Sequence, residues 1–154
     1  MQISNIDVFQ EDLPYARGTY TLSGGRTYDS FDATFVRITT DCGIEGWGES
    51  TPFGSTYVAA HALGVRAGIA EVAPALLGKE PRHCDRINQV MDESLAGHPH
   101  VKVALDVACW DIFGKAADMP RRACAQATRQ LDALSWCFRS KQQASRAHHA
   151  SQAR

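Results

Sequence analysis

The segment FDATFVRITTDCGIEGWGE, residues 31–49, decides how the chain folds. Phe31, Ala33, Phe35, Arg37 and Thr39 alternate with Asp32, Thr34, Val36, Ile38 and Thr40. Period-two alternation rich in β-branched and aromatic side chains predicts a strand. Asp41-Cys42-Gly43 then supplies turn chemistry, because Asp bends the chain locally and Gly accepts a left-handed backbone. Ile44 to Glu49 returns as the partner strand. Upstream, Ile3, Ile6, Val8 and Phe9 predict a first strand of about ten residues, ended by Pro14 and Gly18. Ser23-Gly24-Gly25 reads as a polar loop. The first part of the chain is therefore expected to be a three-stranded antiparallel meander.

Working downstream, STPFGSTY (residues 50–57) reads as a rigid polar and aromatic loop, and the hydrophobic period then lengthens. Val58, Ala62, Val65, Ile69 and Val72 fall three or four apart and predict a helix over 57–77. Ser55 or Thr56 would cap it, and Pro74 and Gly78 would end it. A second helix is expected over 85–95, with Ile87, Val90, Met91 and Leu95 on one face. A third is expected over 101–117, with Val103, Val107, Trp110 and Phe113 pointing inward. The body, residues 1–120, is thus of α+β class: a meander followed by three helices. Beyond Pro120 the periodicity stops, and residues 121–154 are read as a mostly irregular tail.

Bulk properties narrow the function classes. The chain has 154 residues, 44% of them hydrophobic, enough for one real core. No apolar run approaches the length of a membrane span. The first residues carry neither a basic n-region nor an apolar h-region, so a cytoplasmic protein is expected. Five widely spaced cysteines predict free thiols rather than disulfides or a structural zinc site. Residues 1–120 hold nine basic and sixteen acidic side chains, whereas 121–154 hold seven basic and one acidic. Such a split indicates either a basic interaction tail or a change of reading frame near residue 120. The tail shows no recognisable nucleic-acid-binding pattern, so nucleic acid is not the expected partner.

Three segments together resemble one family. FDATFVRITTDCGIEGWGE, STPFGSTY and ALDVACWDIFGKAADMP (residues 104–120) are similar to the N-terminal capping domain of the mandelate racemase and muconate lactonizing enzyme branch of the enolase superfamily. The resemblance implies that full-length relatives join this cap to a modified TIM barrel. That barrel holds Mg²⁺ and the Lys or His bases that take a proton from the carbon next to a carboxylate. G-S-T-Y at 54–57 and A-L-G-V-R-A-G at 62–68 resemble members acting on proline-like amino acids, hydroxyproline dehydratases and proline-betaine epimerases. The chain is expected to stop short of the barrel, so no catalytic residue, metal ligand or cofactor is assigned to it. It would be inactive alone. The alternative is a non-enzymatic binding module with a basic tail.

The resemblance further implies that two loops, 19–25 and 50–57, close over a small carboxylate or amino-acid substrate. Tyr20, Ser23, Thr51, Phe53 and Tyr57 are the candidate substrate-binding residues. For Tyr20 and Tyr57, pocket and packing roles both stay open. An ammonium group against the Tyr57 ring would form a cation–π contact. Glu49 either reaches that pocket or binds loop amides. Trp47 and Trp110 are expected in the core. Asp106 and Asp111, five apart on one helix, are read as structural, with backbone or Arg partners. His61, His98 and His100 are not expected to form a ligand set. Leu22, Pro52, Phe53 and Tyr57 are expected to face solvent once the barrel is missing, which would favour self-association through that face.

Overall fold

The computed structural model describes residues 1–54 and 56–119. Met1 to Ala117 form one compact unit. Its elements are β1 (Ile3–Pro14), β2 (Tyr20–Thr21), β3 (Thr27–Tyr28), β4 (Ser30–Thr40), β5 (Glu45–Ser50), α1 (Ala62–Leu76), α2 (Cys84–Ser94) and α3 (Pro99–Ala116). β1, β4 and β5 form the expected antiparallel meander in the order β1-β4-β5. The class is α+β, as the periodicities imply.

Pairing of β1 with β4 runs from Ile3 opposite Thr40 to Pro14 opposite Ser30. β5 covers only part of β4, from Thr34 opposite Ser50 to Thr39 opposite Glu45. The connection read as a polar loop is itself a small hairpin, with Tyr20 opposite Tyr28 and Thr21 opposite Thr27. Gly24 and Gly25 form its turn with φ of +90° and +76°. Strands of two residues carry no alternation to read, which is why this hairpin escapes a period-based reading.

α1 and α3 cover one face of the sheet, and α2 packs against those two helices. Ile3, Val36 and Ile38 meet Val65, Ile69, Val72 and Leu76 of α1, Ile87 and Met91 of α2, and Leu105 and Ile112 of α3 in one core. The closest contact is between α3 and β5. A Cβ on Gly46 would overlap the carbonyl oxygen of Ala108 and lie 2.6 Å from Cγ1 of Ile112. A Cβ on Gly48 would overlap the carbonyl oxygen of Ala104 and lie 3.0 Å from the amide nitrogen of Ala108. Strand glycines and helix alanines therefore let two backbones touch.

This contact turns α3 away from its expected orientation. Its buried residues are Val101, Ala104, Leu105, Ala108, Cys109, Asp111, Ile112 and Gly114. Val103 is exposed, and Val107, Trp110 and Phe113 are only half-buried. Trp110 is thus not core; it meets Phe113 edge-on at 5.6 Å. Bulk could not fit where the backbones meet, so the small residues took the inner face. Trp47, between the two glycines, is likewise not core. It lies on the outer sheet face at 39% exposure, stacked on Phe9 at 5.6 Å. The Arg37 guanidinium sits 5.7 Å from the Trp47 ring.

α1 begins later than its hydrophobic spacing suggested. His61 is the N-cap, its Nδ1 accepting the Gly64 amide at 3.1 Å. Thr56 lies before the helix, and Ser55 lies outside the described residues. Pro74 falls within the last turn rather than beyond it. Arg66 on α1 ties the helix to β4, donating to Asp32 at 2.7 and 2.9 Å and to Thr34 at 3.2 Å.

The loop after α1 is held to the start of β1: Ile3 donates to Lys79 O, and Gly78 donates back to Ile3 O, both at 2.9 Å. Close by, Arg82 donates to Glu80 at 2.8 and 3.1 Å. These bonds hold the Glu80 carboxyl down at about 2, against its usual 4.5. A depressed folded-state value stabilises above the unfolded one and is lost as pH falls through the folded one. Glu80→Gln is therefore expected to flatten the loss of stability between pH 4.5 and about 2 in acid titrations followed by circular dichroism. An unchanged acid limb would exclude the pair as a contributor.

Candidate functional site: an aromatic surface from two loops

Sequence local to each element delivers six aromatic rings to one end of the sheet. Tyr15 follows β1, Tyr20 and Tyr28 lie on the β2–β3 hairpin, and Phe31 opens β4. Phe53 and Tyr57 follow β5. Phe53 is the hub. Its ring centroid lies 5.3 Å from Tyr20, 5.5 Å from Tyr28, 5.0 Å from Phe31 and 5.2 Å from Tyr57. Tyr15 extends the group, 5.3 Å from Tyr20 and 6.2 Å from Phe31. Edge-on geometries dominate, as ring quadrupoles favour.

The cluster is open on one side. Tyr57 is 65% exposed and Tyr20 36%, whereas Phe53, Tyr28, Phe31 and Leu22 are half-buried. Pro52, expected to face solvent, is buried. It ends the strand in a tight turn, its carbonyl accepting the Gly54 amide at 2.8 Å. Tyr57 and Val58 in turn donate to the Gly54 carbonyl at 3.1 and 3.3 Å.

Of the five candidate residues, Tyr20, Phe53 and Tyr57 come together. Ser23 lies exposed in the hairpin turn, and Thr51 is half-buried, its hydroxyl donating to Glu49 Oε1 at 2.5 Å. Neither is a member of the ring cluster. Tyr15, Tyr28 and Phe31 were missed by the sequence reading. Their signal is present, since each borders a strand end facing the same loops, but strand pairing was needed to see it. Chemically, the surface offers ring faces, which attract cations, and the phenol hydroxyls of Tyr20, Tyr28 and Tyr57, which can donate or accept.

The acidic residues of α3 have structural work. Asp111 Oδ2 accepts the Trp47 amide at 3.0 Å and the Lys115 ammonium at 2.8 Å. Lys115 also donates to the Glu45 carbonyl at 2.6 Å. Together they satisfy polar groups along β5, an edge strand. Asp106 accepts from Asn88 at 2.8 Å, a side-chain amide where backbone or Arg was expected.

His61, His98 and His100 do share a cleft of about 230 Å³ between the starts of α1 and α3. His61 is occupied there as a helix cap. Among the described residues, no group of three His, Cys, Asp or Glu side chains is placed to hold a metal ion. No described helix is long and apolar enough to cross a membrane.

Residues 16–122 match the N-terminal domain of the mandelate racemase / muconate lactonizing enzyme family, and the chain belongs to that family. It is similar to the cis-3-hydroxy-L-proline dehydratase of Roseibium aggregatum, 49% identical over 120 residues, which cover 78% of this chain and 33% of that protein. The N-succinyl-L-Arg/Lys racemase of Bacillus cereus is 31% identical over 120 residues, covering 78% of this chain and 32% of that one. A magnesium-complexed structure of a family protein from Roseovarius nubinhibens superposes with a TM-score of 0.74 at 56% identity, covering 76% of this chain and 31% of that one. The chain thus spans about a third of the length of these relatives.

Proposed function

We propose that residues 1–120 act as the substrate-facing cap of a mandelate racemase/muconate lactonizing-type enzyme; the tail expected over 121–154 lies outside the described residues. The parent chemistry is removal of a proton next to a carboxylate, leading to racemisation, epimerisation or dehydration. Its substrate is a proline-like amino acid, and its setting is the cytoplasm. The observation that carries this reading is the convergence of both loops on Phe53, which leaves the Tyr20 and Tyr57 rings open to a ligand. Those rings would receive the substrate ammonium, and Ser23 and Thr51 would add polar contacts from the loop rims. A solved relative is complexed with magnesium, and among the described residues here no set of side chains would hold that ion.

The test is a chimera in which residues 1–120 replace the matching third of the Roseibium dehydratase. Turnover of cis-3-hydroxy-L-proline is expected to survive. Tyr57→Ala in that chimera should raise KM about two- to thirty-fold with little change in kcat, the value of a cation–π contact. A folded chimera without activity on that substrate refutes the reading. The 154-residue chain alone is expected to turn over nothing with added Mg²⁺. EDTA-sensitive turnover above a no-protein blank would contradict that part.

A further inference from the structure

Tyr28 touches both loop segments. It belongs to the β2–β3 hairpin, yet its hydroxyl lies 3.1 Å from Thr56 Oγ1, beyond β5. Its ring also stacks on Phe31 at 6.2 Å and meets Phe53 at 5.5 Å. Gly54 completes the fit. Its φ is +86°, and a Cβ there would stand 2.9 Å from the Tyr28 hydroxyl and 3.2 Å from Cε1. Glycine at 54 therefore both permits the left-handed turn and leaves room for the phenol.

The hairpin needs such an anchor. It has only two residue pairs, and a two-stranded hairpin is marginal on its own. At its base, Thr19 donates to Asp29 at 2.6 Å. Tyr20 reaches the segment after β5 through its ring contact with Phe53, and Tyr28 adds a hydrogen-bonded cross-connection.

We propose that Tyr28 is a positioning residue: a latch through Thr56 and Gly54 that makes the β2–β3 hairpin and the segment after β5 one mechanical unit, fixing Tyr20 and Tyr57 about Phe53. The importance of this latch rests on the substrate-facing reading above, but the coupling itself is measurable without ligand, so the two can fail separately.

Amide hydrogen exchange of the full 154-residue chain tests it. In the hairpin, Leu22 donates to Arg26 O and Gly25 to Leu22 O; across the latch, Tyr57 and Val58 donate to Gly54 O. Tyr28→Phe and Thr56→Val each delete the cross bond while keeping most of the shape. Each is expected to raise exchange about two- to ten-fold at all four amides, the worth of one hydrogen bond. Val36 and Ile38 should stay protected, and the double variant should add nothing to either single one. Gly54→Ala should also speed Leu22 and Gly25, and less so in the Tyr28→Phe background, where the nearest clashing atom is gone. The proposal is overturned if exchange is unchanged, if it rises only in the segment carrying the substitution, or if the two single effects multiply in the double variant. An equal Gly54→Ala effect in both backgrounds also overturns it.

Discussion

Gly48→Ala is expected to cost about 3 kcal/mol or more and to lower the melting midpoint by about 10 °C or more. The added methyl would overlap the Ala104 carbonyl oxygen and stand 2.9 Å from its carbonyl carbon. Both atoms are backbone, inside a helix, and cannot rotate away. Relief would require α3 to back off from β5, opening the core around Leu105 and Ile112. Trimming the facing side chain, as in Ala104→Gly, offers no rescue. Trp47→Ala removes far more atoms, yet it should cost less, because that ring lies on the outer face. Urea or thermal melts of the three variants rank them. A Gly48→Ala protein as stable as its parent would mean that α3 does not lie against this strand.

Asp111→Ala is the second large effect, expected at about 2–3 kcal/mol. Its carboxylate is almost fully buried, at 4% side-chain exposure, and accepts the Trp47 amide and the Lys115 ammonium. Alanine would leave the amide of an edge strand without its charged acceptor, and would free Lys115 from the geometry that brings it to Glu45 O. Asp111→Asn retains an acceptor for the amide and loses the ion pair, so it should cost about 1 kcal/mol. If both variants melt together with the wild type, water satisfies this edge and the carboxylate does not matter.

The parts legible in the sequence are those governed by local pattern. Alternation in 31–40 and the Asp41-Cys42-Gly43 turn gave the central hairpin, and helical spacing placed α2 and α3 to within about two residues, the usual boundary error. The inner face of α3 was misread because hydrophobicity alone favours Val103, Val107, Trp110 and Phe113. What decides the face is the absence of side chains on Gly46 and Gly48, sixty residues away in sequence, roughly. The same two glycines explain Trp47: between inward neighbours on a strand, it must point out. The start of α1 was misplaced because a histidine provides the cap, a role usually given to Ser, Thr, Asp or Asn. Tyr20, Phe53 and Tyr57 were singled out from loop chemistry and resemblance. That Phe31 and Tyr15 complete their cluster depends on β1 running antiparallel to β4 over its full length, a long-range pairing no single segment encodes.

The two inserted glycine contacts and the aromatic end lie at opposite stations along β4. From Thr34 to Thr39 this strand has a neighbour on each side, but its first four residues, Ser30 to Ala33, pair only with β1. Of the six rings, Phe31 stands on this two-stranded stretch, while the others come from the residue after β1, the β2–β3 hairpin and the segment after β5. A ribbon twists and flexes more freely than a three-stranded sheet clamped by a helix. Here α1 supplies the restraint that β5 does not: Arg66 grips Asp32 with two hydrogen bonds, so one ion pair stands in for a third strand beside Phe31.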